Sequence, residues 1–112
     1  MKAKSSTCPA EFTLAMIGGR WKIPIIFHLL VGRQRFSQLA RSLTGVTQKM
    51  LTQQLREMER NGLVTRNVYP QVPPKVEYSL TELGASLKPI VEAMCRWGEL
   101  HGMRRDITES GQ

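Results

Sequence analysis

Residues 36–78 read FSQLARSLTGVTQKMLTQQLREMERNGLVTRNVYPQVPPKVEY. Phe36, Leu39, Ala40 and Leu43 recur at i, i+3, i+4 and i+7, which predicts a short amphipathic helix with Ser37 near its cap. Thr44-Gly45-Val46 then makes a turn, in which Gly45 takes a left-handed backbone cheaply and Val46 plugs the gap between two helices. Thr47 is a good N-cap for a helix running to about Asn61, and Asn61-Gly62 closes it. Beyond it, 63–69 and 75–80 are β-patterned runs, with Val76, Tyr78 and Leu80 on one face and Lys75, Glu77 and Ser79 on the other. Pro70-Gln71-Val72-Pro73-Pro74 between them is stiff, because each proline fixes φ and extends the residue before it.

The helix 47–61 separates into two faces when plotted at about 100° per residue. Leu51, Leu55 and Met58 fall together and predict a core stripe. Lys49, Thr52, Gln53, Arg56 and Arg60 fall on the far side, Gln48 lies at the N-terminal flank, and Glu57 and Glu59 lie toward the flanks. A solvated surface is the simpler reading for such a face on an isolated helix. Its place as the second helix of a helix-turn-helix, with three cations on the face, reverses that reading in favour of a nucleic-acid groove. The expected fold is therefore mainly α with a small β-hairpin wing, a winged helix-turn-helix.

Bulk composition agrees. The chain has 112 residues, enough for one domain and too few for a separate catalytic one. Hydrophobic residues make up 41%, which supports a modest core. Lys plus Arg number 16 against 9 acids, a net charge of +7 that attracts polyanions, although solubility alone also uses such charge. No apolar run approaches the roughly 18 residues of a membrane span, and no secretory leader is visible at residues 1–7, so a cytoplasmic location is expected. Two cysteines, Cys8 and Cys95, lack the number for a disulfide scaffold and the spacing for a metal site, and no metal or cofactor is expected. His28 and His101 fall on different helices without an acid or nucleophile in a known motif, so an enzyme is not expected.

Outward from the decisive stretch, residues 1–7 read as a loose basic arm, 8–102 as the winged-helix domain and 103–112 as a polar tail. A first helix begins near Cys8-Pro9, with Phe12, Ala15 and Met16 as an apolar stripe, and Gly18-Gly19 ends it. A second, buried helix spans 21–31, with Pro24 near its first turn and Gly32 at its end. Thr81-Glu82 opens the last helix, where Leu83, Leu87, Ile90, Val91, Met94, Trp97 and Leu100 form one stripe, bent at Pro89. That stripe exceeds what one small domain buries, and with the first helix it predicts a dimer interface.

Gly18-Gly19-Arg20-Trp21, Arg35-Phe36 and the run from Gln48 to Arg56 closely resemble the HxlR-type branch of the MarR-like winged-helix regulators. Gly62-Leu63-Val64, the segment 72–84 and Trp97-Gly98 extend the resemblance to nearly the whole chain, from about Cys8 to His101. Pro24 departs from it, standing where aliphatic residues are more usual. The resemblance implies a cytoplasmic homodimer that binds operator DNA and regulates transcription, dimerising through its N- and C-terminal helices. On that basis Phe12, Met16, Leu87, Ile90, Val91, Met94 and Trp97 are the expected interface. Some members of that branch sense electrophiles or oxidants through a cysteine just before the first helix, the position Cys8 occupies, and an inherited residue without a sensory role is the alternative. A helix N-terminus and the nearby Lys2 and Lys4 favour a thiolate there. Cys95, on or beside the apolar stripe, is expected to be packed and inert.

In such a protein the helix 47–61 enters the major groove of double-stranded DNA and the wing 63–80 flanks it. Gln48, Lys49, Gln53 and Arg56 are the base-edge candidates, since Gln pairs bidentately with adenine and Lys or Arg with guanine. Thr47 and Thr52 suit phosphate or a thymine methyl, Arg35 and Ser37 suit the DNA backbone, and Lys75 suits phosphate or the minor groove. Dimer symmetry predicts a palindromic operator, at which the sequence allows a repressor or an activator. Two alternatives stay open on sequence alone: a winged-helix module that binds protein, and a sequence-neutral DNA-binding protein.

Overall fold

The computed structural model describes residues 8–102. The arm 1–7, with Lys2 and Lys4, and the tail 103–112 lie outside the described residues. Helix α1 (Pro9–Ile17) and helix α2 (Lys22–Val31) are joined by the Gly18-Gly19 turn. Strand β1 (Gln34–Arg35) leads into α3 (Phe36–Ser42), which turns into α4 (Gln48–Arg60). Strands β2 (Val64–Tyr69) and β3 (Lys75–Leu80) form the hairpin, and α5 (Glu82–Ala85) and α6 (Lys88–Trp97) close the chain with a π-helical turn at Gly98–Gly102.

The sheet is antiparallel in the order β1-β3-β2, with Val64 opposite Leu80 and Tyr69 opposite Lys75 at the two ends of the hairpin. β1 is an element that sequence patterning does not reveal, because two residues cannot show an alternation. Gln34 pairs with Tyr78 and Arg35 with Glu77, so this short strand fixes the start of α3 against the wing.

Packing explains why the helices take these faces. Leu51, Leu55 and Met58 of α4 are 0–1% exposed, meeting Ile25, Ile26 and Leu29 of α2, Leu39 and Leu43 around α3, and Leu63, Val64 and Tyr78 of the hairpin in one core. Each such fully buried aliphatic side chain contributes about 1.5–3 kcal/mol through removal from water. Truncation of Leu51 to alanine would cost on the order of 2–5 kcal/mol, since the void adds to the lost transfer energy.

Two boundaries differ from the sequence expectation. Helix α3 starts two residues earlier than a Ser37 cap would place it: Arg35 is its N-cap, and the Gln38 side chain accepts the Arg35 backbone N–H at 2.7 Å. The last helix is two helices and not one bent one. α5 ends at Ala85, and Pro89 occupies the first turn of α6, where its missing N–H leaves no helical bond unmade. Thr81 caps α5 as expected, its Oγ1 accepting from the Gly84 N–H at 3.0 Å.

Candidate nucleic-acid interface

Helix α4 is placed by its two ends. Thr47 Oγ1 accepts the Met50 N–H at 3.0 Å, and Gly45 (φ 90°) and Gly62 (φ 77°) supply the left-handed residues on either side. With Leu51, Leu55 and Met58 anchored inward, helical geometry turns Gln48, Lys49, Gln53 and Arg56 outward, and all four are exposed. Thr52 is half-buried, and Thr47 is exposed with its oxygen engaged in capping. Gln48, Lys49, Thr52, Gln53 and Arg56 line an open concavity of about 660 Å³ together with Arg60 and Glu57.

Glu57 is the acid in this otherwise polar and cationic lining. Its Oε1 lies 2.6 Å from Nζ of Lys22, the first residue of α2. That ammonium donates a hydrogen bond to the Glu57 carboxyl and attracts its charge, holding its pKa below the ordinary 4.5 despite some desolvation, with Arg60 adding to the attraction. Helical periodicity puts Glu57 on the flank of the helix but gives no sign of Lys22, which lies 35 residues away.

The second group of candidates gathers at the wing. Arg35 and Ser37 share a concavity of about 270 Å³ with Phe36, Pro74, Lys75 and Val76. Arg35 and Ser37 are exposed, whereas Lys75 folds back on the hairpin. Its Nζ stands 4.6 Å from the centre of the Tyr69 ring and 3.8 Å from Glu77 Oε2. Glu77 also lies 3.8 Å from Arg33, whose Nη1 donates to the Tyr69 hydroxyl at 2.8 Å. The association of Arg33, Tyr69 and Glu77 has no local sequence signal, because it depends on the register that sets β1 beside β3.

The candidates for subunit contact divide into two groups. Phe12, Ile90, Met94 and Trp97 are 39–66% exposed, as are Leu14 and Leu100, while Met16 and Leu87 are half-buried against the core. Val91 is a correction: it is 0% exposed within a single chain, because it is the residue α6 turns inward where that helix packs on α2. Phe12, Met16, Leu63, Leu83 and Leu87 border an apolar cleft of about 120 Å³ between α1 and α5. Cys8 is exposed at the N-cap of α1, and Cys95 is half-buried against the core.

A family model described as HxlR-like helix-turn-helix matches residues 16–106. The chain belongs to the HxlR-like helix-turn-helix family. It is 54% identical over 103 residues to an uncharacterized HTH-type transcriptional regulator, YybR, of Bacillus subtilis (strain 168), covering 92% of this chain and 80% of that one. Among solved structures, the redox regulator HypR in its oxidized form shares 55% identity and a TM-score of 0.80, covering 84% of this chain and 97% of that chain. The reduced form of HypR shares 53% identity and a TM-score of 0.81, covering 92% and 99%. The chain is therefore a transcriptional regulator of the HxlR and MarR type, built on a DNA-binding helix-turn-helix with a three-stranded wing. Among the described residues no single helix is long and apolar enough to cross a membrane.

Proposed function

We propose that two copies of this chain bind a palindromic operator in double-stranded DNA as a cytoplasmic homodimer and regulate transcription from it. The observation that carries this reading is the exposed face of α4, where Gln48, Lys49, Gln53 and Arg56 stand clear of the rest of the chain. Each subunit lays the N-terminal part of that helix in a major groove, with Gln48, Lys49, Gln53 and Arg56 reaching base edges. Thr47 and Thr52 contact phosphate or a thymine methyl. Arg35 and Ser37 hold the DNA backbone, and Lys75 reaches phosphate once it leaves Glu77. Apolar surface on α1 and α6 supports the dimer, since Phe12, Ile90, Met94 and Trp97 would otherwise stay in water.

The same reading makes Cys8 a thiol sensor. Its exposure at the start of α1 gives an oxidant or electrophile access to the sulfur, and the relative HypR is by name a redox regulator. Oxidation would join Cys8 to a second thiol, releasing two electrons and two protons to the oxidant, or an electrophile would cap it directly. A footprint on DNA upstream of the chain's own gene, repeated after diamide treatment, tests both parts. A symmetric protected site whose protection changes with diamide in the wild type, but not in Cys8→Ser, is expected. Protection that does not discriminate between sequences would favour sequence-neutral binding, and its absence on all genomic fragments would favour a protein-interaction role.

A further inference from the structure

We propose that Lys22 serves DNA recognition by neutralising Glu57 at the margin of the α4 face. The inference rests on the reading of α4 as the DNA-contacting helix, and extends it to a residue outside the helix-turn-helix.

The geometry is specific. Lys22 exposes 10% of its side chain and Glu57 33%, and their charged atoms are 2.6 Å apart. Lys22 is the buried charged residue among the described core positions. Glu57 lines the same concavity as Gln48, Lys49, Thr52, Gln53, Arg56 and Arg60. A DNA phosphate approaching those groups therefore also approaches a carboxylate. Unpaired, that carboxylate would repel the duplex; paired with Lys22, its field is cancelled from behind while the outward cations keep theirs. Arg60 acts on Glu57 in the same sense, although it is exposed and faces the groove itself.

The neighbours of Lys22 hold α4 by separate contacts. Lys22 begins α2, directly after Arg20 and Trp21, and Arg20 stacks on the Trp21 ring at 4.6 Å. The ends of both side chains reach the Gly45 turn, about 4.0 Å from where a side chain on Gly45 would begin. The segment between α1 and α2 thus touches the turn that precedes α4 and, through Lys22, the C-terminal half of α4 itself. Arg20 and Trp21 keep their contact with the turn when Lys22 is replaced, so the expected loss is one of charge.

The test compares the wild-type chain, Lys22→Met, Glu57→Gln and the double variant Lys22→Met/Glu57→Gln. The probe is a duplex that the wild type selects from a random-sequence library, with affinity measured by fluorescence anisotropy at several salt concentrations. Lys22→Met should weaken binding about five- to tenfold at low salt, and the deficit should shrink as salt screens the exposed carboxylate. Adding Glu57→Gln should restore affinity to near the wild-type value, an effect that mere loss of packing at position 22 would not produce. A folded Lys22→Met chain that binds like the wild type overturns the proposal, as does a deficit that Glu57→Gln leaves unrepaired. If Lys22→Met does not fold, Glu57→Asp serves instead: it keeps the charge but withdraws it from Lys22, and should weaken binding in the same salt-sensitive way. Unchanged binding by a folded Glu57→Asp chain then overturns the proposal. Failure of the wild type to select any duplex would instead defeat the DNA-contacting reading of α4.

Discussion

Gly84 lies against the Leu63 carbonyl so closely that a Cβ on it would overlap that oxygen. The contact locks α5 to the start of the wing, at the same place where the Thr81 N–H donates to the Leu63 oxygen at 3.0 Å. Gly84→Ala should therefore destabilise the fold by about 2 kcal/mol or more, lowering the melting temperature by roughly 10 °C. Gly98 is the internal control, since a Cβ there meets open space and its backbone is helical. Gly98→Ala should leave the melting temperature unchanged or raise it slightly, as measured by circular dichroism.

The Lys22–Glu57 pair predicts an acid-side dependence of stability. Glu57 has a folded-state pKa below its unfolded value of 4.5, so the charged carboxylate favours the folded state. That contribution is fully present above the unfolded value and is lost as pH falls through the lower folded value. Thermal melts from neutral pH to about pH 3 should show a smaller acid-induced fall for Glu57→Gln than for the wild type. Because Glu57 is partly exposed, the difference should be modest and should narrow in salt.

Dimerisation has its own signature. Trp97 and Met94 are 66% and 49% exposed, one turn apart on α6, so replacing both with serine removes apolar surface without opening the protomer core. The double variant should sediment as a monomer at concentrations where the wild type is dimeric, and its operator affinity should fall with it. Val91→Ala should behave differently. Val91 is fully buried, and its truncation should lower stability by about 1–3 kcal/mol before it affects association.

The sequence made the middle of the molecule legible because periodicity there is strong and the end signals are chemical. Leu51, Leu55 and Met58 mark the buried side of α4 without help from any other element, and Thr47 caps it through a local contact. What escaped reading depends on distant partners. β1 exists because Gln34 and Arg35 meet Tyr78 and Glu77, a pairing that two residues cannot announce. The burial of Val91 follows from how α6 packs on α2, and α5 and α6 are separate helices, whereas the stripe alone suggests one continuous surface. For the candidate interface, the outward residues of α4 followed from helix geometry. The contacts of Lys75 with Tyr69 and Glu77, and of Lys22 with Glu57, required the tertiary fold.

The central claim is that the outward side of α4 reads bases, and alanine substitution of that face tests it most directly. Lys49, Gln53 and Arg56 are exposed, so Lys49→Ala, Gln53→Ala and Arg56→Ala should leave the melting temperature within a few degrees of the wild type. Each should weaken operator binding by on the order of 1–3 kcal/mol and relax the preference at one position of the site. Lys75→Ala, as the phosphate-contact comparison, should weaken all sequences alike and flatten the salt dependence. A folded triple variant at Lys49, Gln53 and Arg56 that still binds the operator with wild-type affinity and sequence preference would contradict the account.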